Sequence, residues 1–155
     1  MGRRPEQSIG LLFDVFLAEE RVGELLRLAL AGTGLKPMEY AVTSLLATLG
    51  RATPSEIVRV TGMSPSTLSG HLAALTRRGL IRREPAPVDG RSALLELTGD
   101  GQRLQREAVA QVRRHTKQLR GELRTPVEEV RAVLHALADA LGRTIEAAGG
   151  PLRTR

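Results

Sequence analysis

Residues 54 to 98 read PSEIVRVTGMSPSTLSGHLAALTRRGLIRREPAPVDGRSALLELT, and the order of caps and stops inside this run decides the fold. Thr53, just ahead of it, is a capping candidate with Glu56 three residues on, and Pro54 suits a first helical turn. Ile57, Val58 and Val60 supply apolar contacts before Gly62 ends the segment. Ser64 then caps a second helix that starts at Pro65, carries the inner stripe Leu68, Leu72 and Leu75, and closes at Gly79. A short helix, a turn containing Gly and a capped helix with one apolar stripe make the helix-turn-helix pattern, whose second helix offers its outer face to the DNA major groove. On helical spacing that face is Ser66, Ser69, Gly70, Ala73 and Arg77, flanked by Thr67, His71 and Ala74. Short hydroxyls at Ser64, Ser66, Thr67 and Ser69 can approach phosphates or base edges, and Arg77 supplies a cation. A plain helical hairpin with a solvated polar face has the same spacing, so the next residues carry the distinction.

Leu80, Ile81 and Arg82 to Glu84 read as a strand, Pro85 to Gly90 as a loop, and Ser92 to Leu97 as a second strand in which Ala93, Leu95 and Leu97 alternate with Leu94 and Glu96. A hairpin directly after a basic helix is a wing. Arg91 near its tip can enter a narrow minor groove, whose negative potential attracts Arg, and Asp89 can hold the guanidinium through a charge-assisted pair.

Pro87-Val88-Asp89-Gly90-Arg91 followed by Leu97-Thr98-Gly99-Asp100-Gly101 resembles the wing signature of the MarR-type winged-helix regulators of bacteria and archaea. That signature has an acid and an Arg two apart, then Leu-Thr and a Gly starting the next helix. Leu75, Gly79, Leu80 and Arg83 also stand where the family usually has its Leu, its Gly-Leu and its strand Arg. The resemblance covers about residues 35 to 104, and the helical flanks agree in arrangement. It implies a homodimer on a pseudo-palindromic operator in double-stranded DNA, usually a repressor released by a small, often phenolic or lipophilic, ligand. One position departs. Where many members have Arg after the Thr or Ser equivalent to Ser69, this chain has Gly70, which removes a base-reading side chain and costs roughly 1 kcal/mol of helix stability relative to Ala. Readout then falls to His71, Thr67 or the backbone near Gly70, while His71 also fits a flank residue with a purely local role.

Outward from the lobe, Ser8 is a capping candidate for a long helix running to about Ala31 and stopped by Gly32 and Gly34. Ile9, Leu12, Phe13, Phe16 and Leu17 form one stripe on it, and Val22, Leu25, Leu26, Ala29 and Leu30 form another that drifts around the axis, so the helix buries two faces. Contact with its own domain and a partner chain explains this, as does a central position in a monomer. Pro37 opens a helix ending at Gly50 with an expected inner face of Met38, Val42, Leu45 or Leu46 and Leu49. Thr98 caps a helix to about Leu123 with Leu104, Ala108, Val112, His115 and Leu119 on one face and Arg103, Arg106, Arg113, Arg114, Lys117 and Arg120 around the rest; such a basic connecting helix can touch DNA phosphates, but a solvated stem is the expected role. Thr125-Pro126 starts a last helix whose Val127, Val130, Leu134, Leu137, Leu141, Ile145 and Ala148 keep an uninterrupted three-and-four spacing, a stripe that requires a partner. The expected architecture is mainly α with a small β-wing. A winged helix-turn-helix lobe at 35–98 stands between an N-terminal dimerisation and core helix (1–34) and connecting and C-terminal dimerisation helices (99–155).

Charge distribution agrees with a local polyanion site. The net charge is +6, but residues 50 to 91 hold seven Arg against Glu56, Glu84 and Asp89, and residues 99 to 124 hold seven cations against three acids, whereas residues 126 to 148 have two Arg against four acids. No cysteine is present, which excludes disulfides and thiol redox sensing. The longest apolar stretches, such as residues 25 to 32, fall short of the ~20 residues that span a bilayer, and a signal-peptide region is not evident, so a cytoplasmic protein is expected. His71, His115 and His135 stand on different helices without Cys or acids at ligand spacing, so no metal is expected, and no cofactor either. With neither a nucleophile elbow nor a phosphate-binding Gly loop, enzyme function is not expected. A small aromatic or lipophilic effector would sit between the dimer helices and the DNA-binding lobe, with Phe13, Phe16, Arg21, Met38 and Tyr40 as candidate walls; core packing is the competing role for both Phe. The alternative from another class is an architectural or partner-binding winged helix with weak sequence preference and no ligand sensing.

Overall fold

The computed structural model describes residues 10–85 and 93–149. Among these residues the order is α1 (Leu11–Leu30), α2 (Pro37–Leu49), β1 (Arg51–Ala52), α3 (Pro54–Thr61), α4 (Pro65–Arg77), β2 (Ile81–Pro85), β3 (Ala93–Leu97), α5 (Gly99–Glu122) and α6 (Val127–Ala147). The mainly helical fold with a small antiparallel sheet agrees with the expected winged helix. β3 is the central strand, flanked by β2 and by β1, a two-residue strand the sequence reading did not contain.

Local signals set most boundaries. Thr53 accepts the backbone N–H of Glu56, whose carboxylate accepts the Thr53 N–H at 2.7 Å, a reciprocal cap that satisfies two otherwise orphaned donors of α3. Gly62 and Gly79 stand in the left-handed region with φ of +70° and +69°, where a Cβ is strained, and end α3 and α4. At the end of α4, Leu80 N–H donates to Leu75 O and Gly79 N–H to Thr76 O, the paired bonds of a Schellman turn.

The core lies where α2, α3, α4 and the sheet meet: Val42, Leu46, Ile57, Leu68, Leu72, Leu75 and Leu95 are fully buried. Truncating one of these Leu residues to Ala costs about 2–5 kcal/mol, the transfer term plus the cavity left behind. α5 packs on α1 and α2 through Ala108 and the buried Gln105. Gln105 is satisfied: Thr43 Oγ1 donates to its Oε1 at 2.6 Å, and its Nε2 donates to Ser44 Oγ at 2.8 Å.

Several expectations need correction. On α2, Met38 and Leu49 are exposed, and the buried positions are Glu39, Val42, Thr43 and Leu46; the inner face is rotated because two polar residues find buried partners. Val60 is also exposed, beside an open groove shared with Leu141 and Ile145 of α6. The described start of α1 has Gly10 at its cap position with no side-chain bond, and Ser8 lies outside the described residues. Phe13 and Phe16 are not core residues of this chain: they are 38% and 52% exposed and stack loosely on each other with ring centroids 6.4 Å apart. The last helix needs no correction: α6 contains no fully buried residue, and Val133, Leu134 and Ile145 are open to solvent, so the stripe expected to require a partner is left uncovered by the single chain.

Candidate nucleic-acid interface

α4 is the centre of the site. Its inner stripe, Leu68, Leu72 and Leu75, is locked into the core, and with 100° between successive residues this turns Ser66, Ser69, Gly70, Ala73 and Arg77 outward, where all five are exposed. Thr67 is exposed too, whereas His71 and Ala74 are half-buried at the margins. At the N-terminus, Ser64 Oγ accepts the Thr67 N–H at 3.1 Å and lies 3.0 Å from Ser66 Oγ and 2.8 Å from Thr67 Oγ1. This small exposed cluster of hydroxyls sits at the N-terminal end of the helix, where the helix dipole favours an anion. A Cβ added at Gly70 meets no heavy atom within 4 Å, so the outer face is open at its midpoint.

Two anchors hold α4 in place. Arg78, its C-cap residue, donates to Glu39 Oε2 at 3.0 Å, and the same buried carboxylate accepts the Lys36 N–H at 3.1 Å, tying the end of α4 to the start of α2. Thr98 Oγ1 donates to Gly79 O at 2.6 Å and accepts the Gly101 N–H at 3.1 Å, while Thr98 N–H donates to Leu80 O. One threonine thus links the exit of α4, the sheet and the start of α5. Gly101 is fitted against that corner: a Cβ there stands 2.0 Å from Leu80 O.

At the base of the hairpin the register sets Arg82, Glu96 and Arg51 side by side across the three strands. Glu96 is paired with both arginines, and Glu84 lies 3.5 Å from Arg51 and 3.4 Å from Arg82. Desolvation pushes the Glu96 carboxyl up, but hydrogen bonds from Arg82 and Arg51 and their charges outweigh it and hold the group below the ordinary carboxylate value. Sequence reasoning missed this row because Arg51 enters it through a strand too short to show alternation. Glu39 and Thr98's bond to Gly79 were missed for a similar reason: their partners are distant in sequence.

Asp89 and Arg91 lie outside the described residues, as do the other residues of 86–92. Of the candidate effector walls, Phe13 and Phe16 share the exposed surface of α1, Arg21 is exposed on the same helix, and Met38 is exposed on α2. Tyr40 is half-buried against the core and lines an open groove between α2 and α5 with Ser44, Gln105, Arg106, Val109 and Arg113. Among the described residues, no group of three or more His, Asp or Glu is placed to hold a metal ion, and no helix is long and apolar enough to cross a membrane.

Comparison with known proteins places this geometry. The MarR family model matches residues 33–92. An HTH-type transcriptional regulator of Mycobacterium leprae is 29% identical over 98 residues, 63% of this chain and 68% of that protein. Among solved structures, the transcriptional repressor CouR bound to a 23-mer DNA duplex is 29% identical with a TM-score of 0.77, covering 91% of this chain and 99% of CouR. BpsR of Bordetella bronchiseptica, whose DNA binding is regulated by 6-hydroxynicotinic acid, is 24% identical with a TM-score of 0.75, covering 89% of this chain and 97% of BpsR.

Proposed function

We propose that this chain, which belongs over residues 33–92 to the MarR family of transcriptional regulators, is a ligand-released repressor acting as a homodimer on a pseudo-palindromic operator. The observation that carries the reading is the fixed α4: its apolar stripe is buried, its C-terminal end is tied to α2 and to the start of α5, and its outward face of Ser66, Ser69, Gly70, Ala73 and Arg77 is free to enter a major groove. Ser64, Ser66, Thr67 and Ser69 contact phosphates or base edges, Arg77 contacts the backbone or a guanine, and Asp89 orients Arg91 in the minor groove. His71, half-buried beside this face, contributes from its margin.

Dimerisation is supported by the apolar surfaces of the flanking helices. Leu12, Phe13, Phe16 and Leu17 of α1 and Val133, Leu134 and Ile145 of α6 are exposed, more apolar side chains than a monomer comfortably leaves in water. A C2 pairing through these helices covers them and sets two α4 helices about 34–36 Å apart, one DNA turn. The regulation of BpsR DNA binding by 6-hydroxynicotinic acid is the analogy on which a small aromatic effector is proposed here, with the Tyr40 groove and the α1 and α2 residues Phe13, Phe16, Arg21 and Met38 as its candidate contacts; a ligand bound there favours one spacing of the two lobes over another. Such a regulator works in the cytoplasm and catalyses no reaction. The second reading, an architectural winged helix with weak sequence preference, draws on Gly70, which leaves the middle of the reading face without a side chain. Footprinting on selected genomic DNA, with thermal-shift screening of aromatic acids followed by operator release, tests the proposal; the absence of any stabilising compound counts against ligand sensing.

A further inference from the structure

α5 carries a feature that the recognition helix and hairpin do not use. Arg103, Arg106, Arg113, Arg114, Lys117 and Arg120 are all exposed. At 100° per residue they fall within an arc of about 120° on the helix circumference, opposite Leu104, Gln105, Ala108 and Val112, which pack inward. From Arg103 to Arg120 the row runs about 26 Å at 1.5 Å per residue. The acids of α5, Asp100, Glu107 and Glu122, lie outside the arc, and among the described residues Arg103 to Asp100, at 2.6 Å, is the row's one ion pair. The only apolar side chain inside the arc is Ala110.

We infer that this row is a second, sequence-independent track for the phosphate backbone of DNA, engaging duplex outside the half-site that α4 reads. The inference rests on the DNA-binding reading above. Six cations fixed on one rigid helix repel one another, and their clustering is relieved by a polyanion. The length matches about eight base pairs of duplex, which carry one charge per ~1.7 Å of axis. An acidic protein surface is the poorer occupant, because protein interfaces are built around a desolvated apolar centre that this row lacks. Backbone binding needs cations alone and gains its free energy from released counterions. The duplex has two sources, the flanks of the bound operator or a separate DNA segment, and the chemistry is the same for both.

The test uses the full chain and three DNAs: a minimal operator, the same operator extended by random flanks, and the minimal operator with a separate labelled random duplex. Wild type is expected to bind the extended operator more tightly than the minimal one, or to capture the separate duplex on the operator complex; which of these occurs identifies the source. The R114Q/K117Q/R120Q variant is expected to keep minimal-operator affinity within about twofold, to flatten the log–log salt slope of the extra binding by up to about 2.7, and to weaken that binding by up to about 500-fold at 0.1 M salt. The R114K/R120K variant keeps its charges and should keep the extra binding. Equal thermal melts of all three proteins exclude a folding defect. The inference is overturned if wild type gains nothing from flanks or second duplex, including the case in which an acidic polypeptide binds the row instead, or if the gain survives the triple variant. Failure of minimal-operator binding in wild type would sink the primary reading and leave a separate signature.

Discussion

Replacing Gly101 by Ala, normally a mild change in a helix, should be among the more damaging single substitutions in this chain. Gly101 is the third residue of α5, and an ideal Cβ there lies 2.0 Å from Leu80 O and 3.0 Å from Leu80 C, both backbone atoms. No side chain can swing away, so α5 or the Leu80 peptide must move. Movement at this corner strains the Thr98 N–H to Leu80 O bond, the Thr98 cap on Gly101 and the Schellman turn that ends α4. Overpacking costs about 1–3 kcal/mol and a lost or weakened buried hydrogen bond about 1–3 kcal/mol, against a helix-propensity gain of about 1 kcal/mol, so the net loss is about 1–5 kcal/mol. For a chain of this size that corresponds to a fall in Tm of roughly 2–20 °C. Gly70→Ala is the internal control: its Cβ meets nothing within 4 Å, so the same substitution should stabilise α4 by up to about 1 kcal/mol. Urea titration and thermal melts of the two variants read the opposite signs directly. A Gly101→Ala protein as stable as wild type would refute the close fit of α5 against Leu80 and with it the argument for how the hairpin and α4 are held together.

Glu39→Ala should cost about 2 kcal/mol in urea unfolding, because it strips Arg78 of its buried partner and α2 of a cap, the half-exposed Arg78 side chain moderating the loss; a change below about 0.5 kcal/mol would show the pair to be incidental. Glu96 has a folded pKa below its ordinary carboxylate value, so the stability it contributes is present above that ordinary value and disappears as pH falls through the folded pKa. Wild type should therefore lose stability faster than Glu96→Gln between about pH 5 and 3, and parallel urea midpoints over that range would contradict the pairing. For the hairpin tip, Arg91→Ala is expected to weaken operator binding by about 1–3 kcal/mol and reduce the salt slope by about one ion, measured by titration at several salt concentrations; unchanged binding would remove Arg91 from the interface.

Features whose hydrogen bonds close within a few residues could be read from the chain alone. Thr53 with Glu56, Ser64 with Thr67 and Thr98 with Gly101 each complete a cap inside one helical turn, so residue type and spacing suffice. The same holds for Gly62 and Gly79 as stops. Longer-range features were hidden. β1 is only Arg51–Ala52 and exists because β3, some 45 residues later, pairs with it. On α2 the apolar spacing pointed to Met38 and Leu49, but the face that packs contains Glu39 and Thr43, which are buried because Arg78 and Gln105 meet them. A carboxylate or hydroxyl with a distant partner looks like a surface residue until the fold brings that partner in. On α1, the two apolar stripes indicated two buried faces, yet one chain buries only the C-terminal end at Ala29 and Leu30 and leaves Phe13 and Phe16 exposed. Asp89 and Arg91 lie outside the described residues; the strands on either side of them, β2 and β3, pair antiparallel as the alternation in the sequence predicts.

If α4 is presented twice by a symmetric dimer and reads a specific DNA sequence, selection of bound genomic fragments followed by hydroxyl-radical footprinting will reveal it. Two symmetric half-sites are expected, with centres about 10 base pairs, one helical turn, apart, and affinity for the selected site at least about 10³-fold above random DNA at physiological salt. Uniform protection without symmetry, with selected and random DNA bound about equally, would contradict that reading.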